Sequence, residues 1–242
     1  MTAKFLAFDL EIAALIPEDE TDWKQYRPLG ITCVGFAYTN EYGDIKTFAL
    51  CGQEQGNDTP LPRMTKNDCQ EVVQRLQRAV EKGHTILTWN GLSFDFDVLA
   101  EESGMHAECR DLAINHVDAM FQVHCLKGFP VGLDAVSKGL GLAGKMEGVS
   151  GAKAPYLWHD GQYTTVLEYV QQDARSTLEV ALAIEQRKGL TWIAKSGRRN
   201  SLPIERLLTV FEAMQLPEPD TAWMTEPMPR SRFTGWMERQ TA

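Results

Sequence analysis

The sequence is short of cysteine, of positive charge and of long apolar runs. Its 5 cysteines are an odd number with no C-x-x-C pair among them, so neither a disulfide framework nor a zinc-finger spacing is present. A reducing cytoplasm is the setting this implies. No apolar run approaches the ~20 residues that a membrane-spanning helix needs, so no membrane is expected as a partner. The first strand-like stretch carries Asp9 and Glu11 inside its apolar residues, unlike a secretory leader. Internal repeats and low-complexity segments are missing too. Lys and Arg number 24 against 33 Asp and Glu, a net charge of −9 over 242 residues. A basic surface for sequence-independent duplex binding is therefore not supplied by the chain as a whole. What matters is whether the acids are scattered or aimed. The rest is ordinary for a globular chain: 43% hydrophobic and 24% charged residues, and a length that suits one sizeable domain with or without appendages.

Lys4 to Ile12 reads as a buried strand holding two acids. A loop follows, with the acidic run Glu18, Asp19, Glu20 and Asp22. Ile31 to Tyr38 and Ile45 to Leu50 are β-branched and aromatic, and the turn EYGD (41–44) joins them as a hairpin. Residues 52–63 are a polar surface loop. Thr65 and Asp68 make a capping box with Asp in place of Glu, and Gly83 ends the helix it opens. Thr85 to Trp89 is a fourth strand. Helical patterns then cover Phe94 to Glu102, Glu108 to His116, Val117 to Leu126 and Leu133 to Gly139. The glycine-rich segment 141–161 reads as a long loop. Thr165 and Glu168 read as a capping box opening a helix from Val166 to Lys188, stopped by Gly189. A last helix spans Ile204 to Gln215, and a proline-rich tail is expected to lie extended on the surface. Three strands, a helix, a strand and then mostly helices predict an α/β fold with a mixed sheet flanked by helices. The order resembles an RNase H-like core. Residues 1–190 would form that domain, with 191–242 as a C-terminal helix and proline-rich arm packed on it.

Three short patterns carry the candidate chemistry. Asp9 and Glu11 alternate on one strand and so share a face. Two buried like charges cost several kcal/mol unless cations or water relieve them. Asn90-Gly-Leu-Ser-Phe-Asp95 follows the fourth strand directly, at the carboxyl end where open α/β sheets bind ligands. Asp95 falls at a helix start, where the dipole favours a carboxylate. Asp97 is a rival acid on another side of that helix. Tyr169 and Asp173 lie one helical turn apart beside the apolar stripe Val166, Val170, Ala174 and Leu178. Each pattern alone also fits a structural role: a strand that ends early, an N-cap, or an amphipathic helix with a solvated Asp. Trp89 and Phe94 read as core residues, and the 5 histidines have no catalytic or ligand spacing.

In combination and order, FDLE (8–11), NGLSFD (90–95) and YVQQD (169–173) resemble the three motifs of the DEDD superfamily of 3′–5′ exonucleases, tyrosine subgroup. The histidine subgroup would place His where Glu168 stands. The resemblance is closest to the proofreading exonuclease domain of family B DNA polymerases and its stand-alone relatives. It covers roughly Lys4 to Lys188, and GLDAVSKGLGL (132–142) looks like the segment preceding the third motif. One departure stands out. Where that family usually has Thr or Ser after the first-motif Glu, this chain has Ile12 and Ala13, which puts that contact with the terminal nucleotide in doubt.

The resemblance implies that Asp9, Glu11, Asp95 and Asp173 hold two divalent cations, Mg²⁺ or Mn²⁺. Such oxygen-only ligands suit hard ions. Asp9 would bridge the ions, Tyr169 would orient the attacking water, and nucleoside 5′-monophosphates would leave from the 3′ end. Asn90, Phe94 and Leu10 would shape the floor for the last nucleotides. Arg198 and Arg199, in a basic stretch from Arg187 to Arg206, would grip backbone phosphates. The expected partner is the 3′ end of nucleic acid, single-stranded DNA first and RNA second. No polymerase domain is apparent, so a proofreading or repair role would need a polymerase or repair partner in trans. An endonuclease or RNase on the same core, and a silent nucleic-acid-binding module, are the competing readings. Arg230, Arg232, Phe233 and Trp236 mix cations with aromatics in the tail, which a packed arm also explains.

Overall fold

A computed structural model describes residues 4–18, 20, 22–54, 56, 59–144, 146 and 148–238. Asp19 of the acidic run, residues 55, 57 and 58 of the polar loop, Lys145 and Glu147 of the glycine-rich segment, and the chain ends lie outside them.

The central strand is β1 (Phe5–Ile12), and its alternation sets the layers. Leu6, Phe8, Leu10 and Ile12 point to one face, Phe5 and Ala7 to the other. β2 (Ile31–Thr39) runs antiparallel to β1, pairing Leu6 with Tyr38, Asp9 with Gly35 and Glu11 with Cys33. β3 (Ile45–Cys51) closes the hairpin on β2. α1 (Lys66–Glu81) follows, opened by the Thr65–Asp68 capping box. It crosses over to β4 (Thr85–Thr88), which pairs parallel with β1 from Phe5 to Ala7. α2 (Asp95–Ser103) and α3 (His106–Asn115) then pack with α1 over the first face, burying Val72, Leu76, Phe96, Leu99 and Leu112. β5 (Val117–Asp118) adds a parallel edge to β4, giving a five-stranded sheet in the order β3-β2-β1-β4-β5.

α4 (Ala119–Lys127), α5 (Leu133–Leu140), α6 (Ala154–His159) and α7 (Tyr163–Arg187) complete the frame. α5 and α7 cover the second face through Val136, Leu178, Ala181 and Ile184 against Phe5, Ala7 and Leu87. Each fully buried Val, Leu or Ile among them contributes roughly 1.5–3 kcal/mol. The expected mixed α/β sheet with flanking helices is thus the observed one. Among the described residues no helix is long and apolar enough to cross a membrane.

Several local expectations need correction. Val117 and Asp118 are strand, not helix, because an edge strand this short leaves no periodicity to read. The glycine-rich segment contains α6, anchored by Trp158, whose indole donates to the Leu61 carbonyl. α7 starts at Tyr163, which puts Thr165 inside its first turn, so the Thr165–Glu168 box does not cap it. The basic stretch after α7, to which the sequence pattern assigns no element, forms a hairpin, β6 (Gly189–Ile193) and β7 (Arg199–Pro203). The last predicted helix shrinks to α8 (Val210–Met214), capped by Thr209 and Glu212, while Ile204 and Leu207 drop into the core. The tail is not simply extended. α9 (Ser231–Thr234) and the turn after it bury Phe233 and Trp236.

One contact fixes how closely α7 lies on the sheet. A Cβ on Gly35 would stand 2.4 Å from the Val170 carbonyl oxygen, where no real Cβ fits. Gly35→Ala must therefore push α7 off β2, at a cost typical of overpacking, ~1–3 kcal/mol. Urea unfolding of the variant should show that loss; an unchanged midpoint and slope would mean α7 does not sit where described.

Candidate functional site

The acids of β1 continue the face that Phe5 and Ala7 begin. Beyond Ala7 the apolar pattern gives way to Asp9 and Glu11, at the end of β1 where its ladder with β4 has stopped. Gly35 lies opposite Asp9, and the backbone of α7 comes in above it at Val170. Tyr169 and Asp173 are thereby brought to the two strand acids. Tyr169 is fully buried, and its hydroxyl hydrogen-bonds Asp173. Burial first, then the negative charges of Asp173, Glu11 and Asp9, push its ionisation far above the ordinary tyrosine range. The phenol stays protonated, able to donate to a carboxylate and accept from water.

Asp95 reaches the same strand from the other side. The Leu10 amide, between Asp9 and Glu11, donates to its Oδ1 at 3.0 Å. Burial raises the Asp95 carboxyl, that amide opposes the rise, and the Asp118 charge adds to it. Glu11, Asp95 and Asp173 are each only 4–5% exposed, so each carboxylate is held nearly out of water. Asp97 turns elsewhere: the Arg27 guanidinium holds it at 2.6 Å and also engages Glu101.

The loop carrying Asp95 is held by residues that composition and motif reading passed over. Asp118 is buried and accepts from the amides of Asn90, Leu92 and Phe121, each at 3.0 Å. This lets Asn90 adopt φ 75 at the Asn-Gly turn. Burial raises the Asp118 carboxyl, against those same amides. Behind it, His116 Nδ1 meets the Ala113 carbonyl at 2.6 Å and Nε2 meets the Thr88 hydroxyl at 2.9 Å. That hydroxyl also accepts from the Gly91 amide. The only signal in the sequence was the bare His-Val-Asp triplet at 116–118.

Among the substrate candidates, Leu10 and Asn90 lie at this loop and strand end. Phe94 is partly buried with its ring edge-on to Trp23, 5.1 Å between centroids. Arg198 and Arg199 are exposed at the tip of the β6–β7 hairpin, which packs on α5 and α7. The rest of the basic stretch is largely committed. Arg187 donates to the Leu140 carbonyl, Lys188 pairs with Glu185, and Arg206 pairs with Glu212.

Among the described residues, no group of three or more His, Cys, Asp or Glu is drawn together tightly enough to hold a metal ion. The donor set still suits hard divalent cations. It is made of carboxylates alone, three of the four (Glu11, Asp95 and Asp173) are buried, and any mutual repulsion would be relieved by positive charge.

A family model of the RNase H superfamily matches residues 35–184, a span that includes Asp95, Tyr169 and Asp173 and begins after Asp9 and Glu11. The chain is similar in structure to the family B DNA polymerase from the hyperthermophilic archaeon Pyrobaculum calidifontis. The TM-score is 0.51 at 18% identity, covering 76% of this chain and 25% of the polymerase. It is also similar to E. coli Exonuclease I in complex with a dT13 oligonucleotide, with TM-score 0.43 and 13% identity, covering 77% of this chain and 42% of that one. The chain thus spans about a quarter of the polymerase and under half of the exonuclease, and at these identities the polymerase likeness speaks for the fold alone. No curated protein matches the chain.

His116 gives this region a pH signature. Burial lowers its pKa to about 4 from the ordinary 6.5. With Nδ1–H donating to Ala113, Nε2 is left to accept from Thr88. The unfolded chain takes the proton first, so this residue's contribution to stability is complete above pH 6.5. It declines as pH falls toward 4, by at most ~1.4 kcal/mol per unit. Long-range ¹⁵N NMR at pH 6 should show a neutral Nδ1–H imidazole. A ring that titrates near 6.5 would contradict the network.

Proposed function

The chain belongs to the RNase H superfamily, and on that premise we propose that it is a metal-dependent 3′–5′ exonuclease of the tyrosine DEDD type. Its substrate would be single-stranded or frayed nucleic acid, DNA in first place. The observation that carries this reading is the setting of Tyr169. Its hydroxyl lies within the field of Asp173, Glu11 and Asp9, while Asp95 is bonded to the strand between the last two.

Asp9, Glu11, Asp95 and Asp173 would hold two Mg²⁺ or Mn²⁺ ions. The chemistry such ions supply when bound is charge stabilisation of the attacking and leaving oxygens in an in-line phosphoryl displacement. The remaining work falls to the chain. The Tyr169 hydroxyl donates a hydrogen bond to Asp173 and keeps an oxygen lone pair to accept one from the attacking water, which orients that water. With its ionisation suppressed, it positions and does not act as base. The Asp118-braced loop fixes Asp95 and presents Asn90 to the terminal nucleotide. Leu10 and Phe94 shape the floor, and Arg198 and Arg199 offer charge to phosphates farther along. Products are nucleoside 5′-monophosphates. Residues 191–242 belong to the same domain in this reading, and a proofreading or repair role would place a polymerase or repair partner in trans.

The test is a side-by-side digestion of 5′-labelled single-stranded DNA, duplex DNA and RNA with Mn²⁺. Single-stranded DNA should shorten stepwise. Asp173→Asn should lose at least about a hundredfold in rate, and Tyr169→Phe up to about a hundredfold with the ladder pattern kept. Undiminished activity in EDTA or in Asp9→Ala would sink the proposal. Cuts within a circular substrate would replace it with an endonuclease.

A further inference from the structure

The tail residues that the catalytic reading does not use build one wall of a groove beside the second-motif loop. The groove has a volume of ≈ 490 Å³. Asn90 and Ser93 line it on the loop side, Trp23 and Lys24 on the side of the segment after β1, and Met228 and Arg232 on the tail side. It therefore opens beyond the carboxyl ends of β4 and β5, at the loop that leads into Asp95.

The arm is not loosely placed there. Arg230 fastens it by donating to the carbonyls of Met214, Leu216, Cys125 and Pro217. Phe233 packs its ring at a tilt against His124 and Phe121, with centroids 4.6 and 5.3 Å apart. Trp236 donates its indole N–H to the Leu92 carbonyl at 2.6 Å, on the very loop that carries Asp95. Arg232 sits between these anchors with its side chain exposed. Among the described residues neither it nor Lys24 forms an ion pair. Two cations outside any ion pair thus line a groove walled by Trp23, Met228 and Phe233, Lys24 resting its Nζ over the Trp23 ring 5.6 Å from the centroid, with amide and hydroxyl groups at Asn90 and Ser93. One acid, Asp22, also lies at its edge, but its carboxylate already accepts from the Lys24 amide.

We propose that this groove seats the nucleotide just upstream of the 3′ terminus, its base against Trp23 and Met228 and its phosphates on Arg232 and Lys24. The inference rests on the exonuclease reading and names the part of the strand that the C-terminal arm recognises. Phosphate gives charge-assisted hydrogen bonds to Arg, and the apolar wall gives sequence-tolerant contact with any base.

Binding can be tested apart from turnover. A short 5′-fluorescein oligothymidylate is titrated with the full chain in Ca²⁺, read by anisotropy, for wild type, Arg232→Gln and Lys24→Gln. A strand of equal length with abasic sites is run alongside. Arg232→Gln is expected to raise Kd about tenfold, Lys24→Gln to weaken binding in the same direction, and the abasic strand to bind more weakly than the normal one. Circular dichroism checks that the exposed substitutions leave the fold intact. A Kd for Arg232→Gln within twofold of wild type, equal binding of the abasic strand, or no binding by wild type at low salt would each overturn the groove assignment. Turnover with Mn²⁺ is read on the same wild-type preparation. Failure of digestion with an Arg232-dependent Kd condemns the exonuclease reading, whereas digestion with an unchanged Kd condemns the groove.

Discussion

The structure depends on a strand whose inner face changes character halfway. Phe5 and Ala7 bind β1 into the core beneath α5 and α7, and the next two residues on that face are Asp9 and Glu11. Apolar burial holds the first half in place. The second half must carry like charges into a nearly dry pocket, which costs several kcal/mol without compensation. Everything around those acids either brings in more negative charge or supports it. Gly35 clears room for the α7 backbone, α7 delivers Tyr169 and Asp173, and the Leu10 amide takes Asp95. A bound cation would offset that cost.

The second support is the chain of hydrogen bonds behind the Asn90–Asp95 loop. From the Ala113 carbonyl through His116, Thr88 and Gly91, and in parallel through Asp118, each buried polar group has a named partner. Such a network holds a loop in one conformation because any break strands a polar group away from water. The arm adds a further tie through Trp236 to Leu92. The loop is therefore fixed from the sheet, from β5 and from the C-terminal segment together.

Much of this was legible in the sequence, and the reasons for success and failure are physical. β1, β2, β3 and α1 announce themselves through alternation, a turn and a capping box, all local signals. Tyr169 and Asp173 share a helix face by spacing alone. Asp118 and His116 were not legible, because their value lies in contacts with residues 88–92 that no local pattern records. β5 was too short to show a period. The β6–β7 hairpin read only as a basic stretch because its strands alternate buried Leu190 and Trp192 with few other apolar residues. Gly35 looked like any strand glycine until the Val170 carbonyl was placed above it. The tail's prolines suggested an extended arm, yet Phe233 and Trp236 find core partners far away in sequence.

The central claim is that Asp9, Glu11, Asp95 and Asp173 act as one receptor for divalent cations. Isothermal titration with Mn²⁺, supported by electron paramagnetic resonance of the bound ion, measures that directly and needs no substrate. The account predicts binding of two ions per chain to the wild type, and loss of at least one of them in Asp9→Ala with the fold retained. No Mn²⁺ uptake by the wild type, or the same uptake by Asp9→Ala, would contradict it.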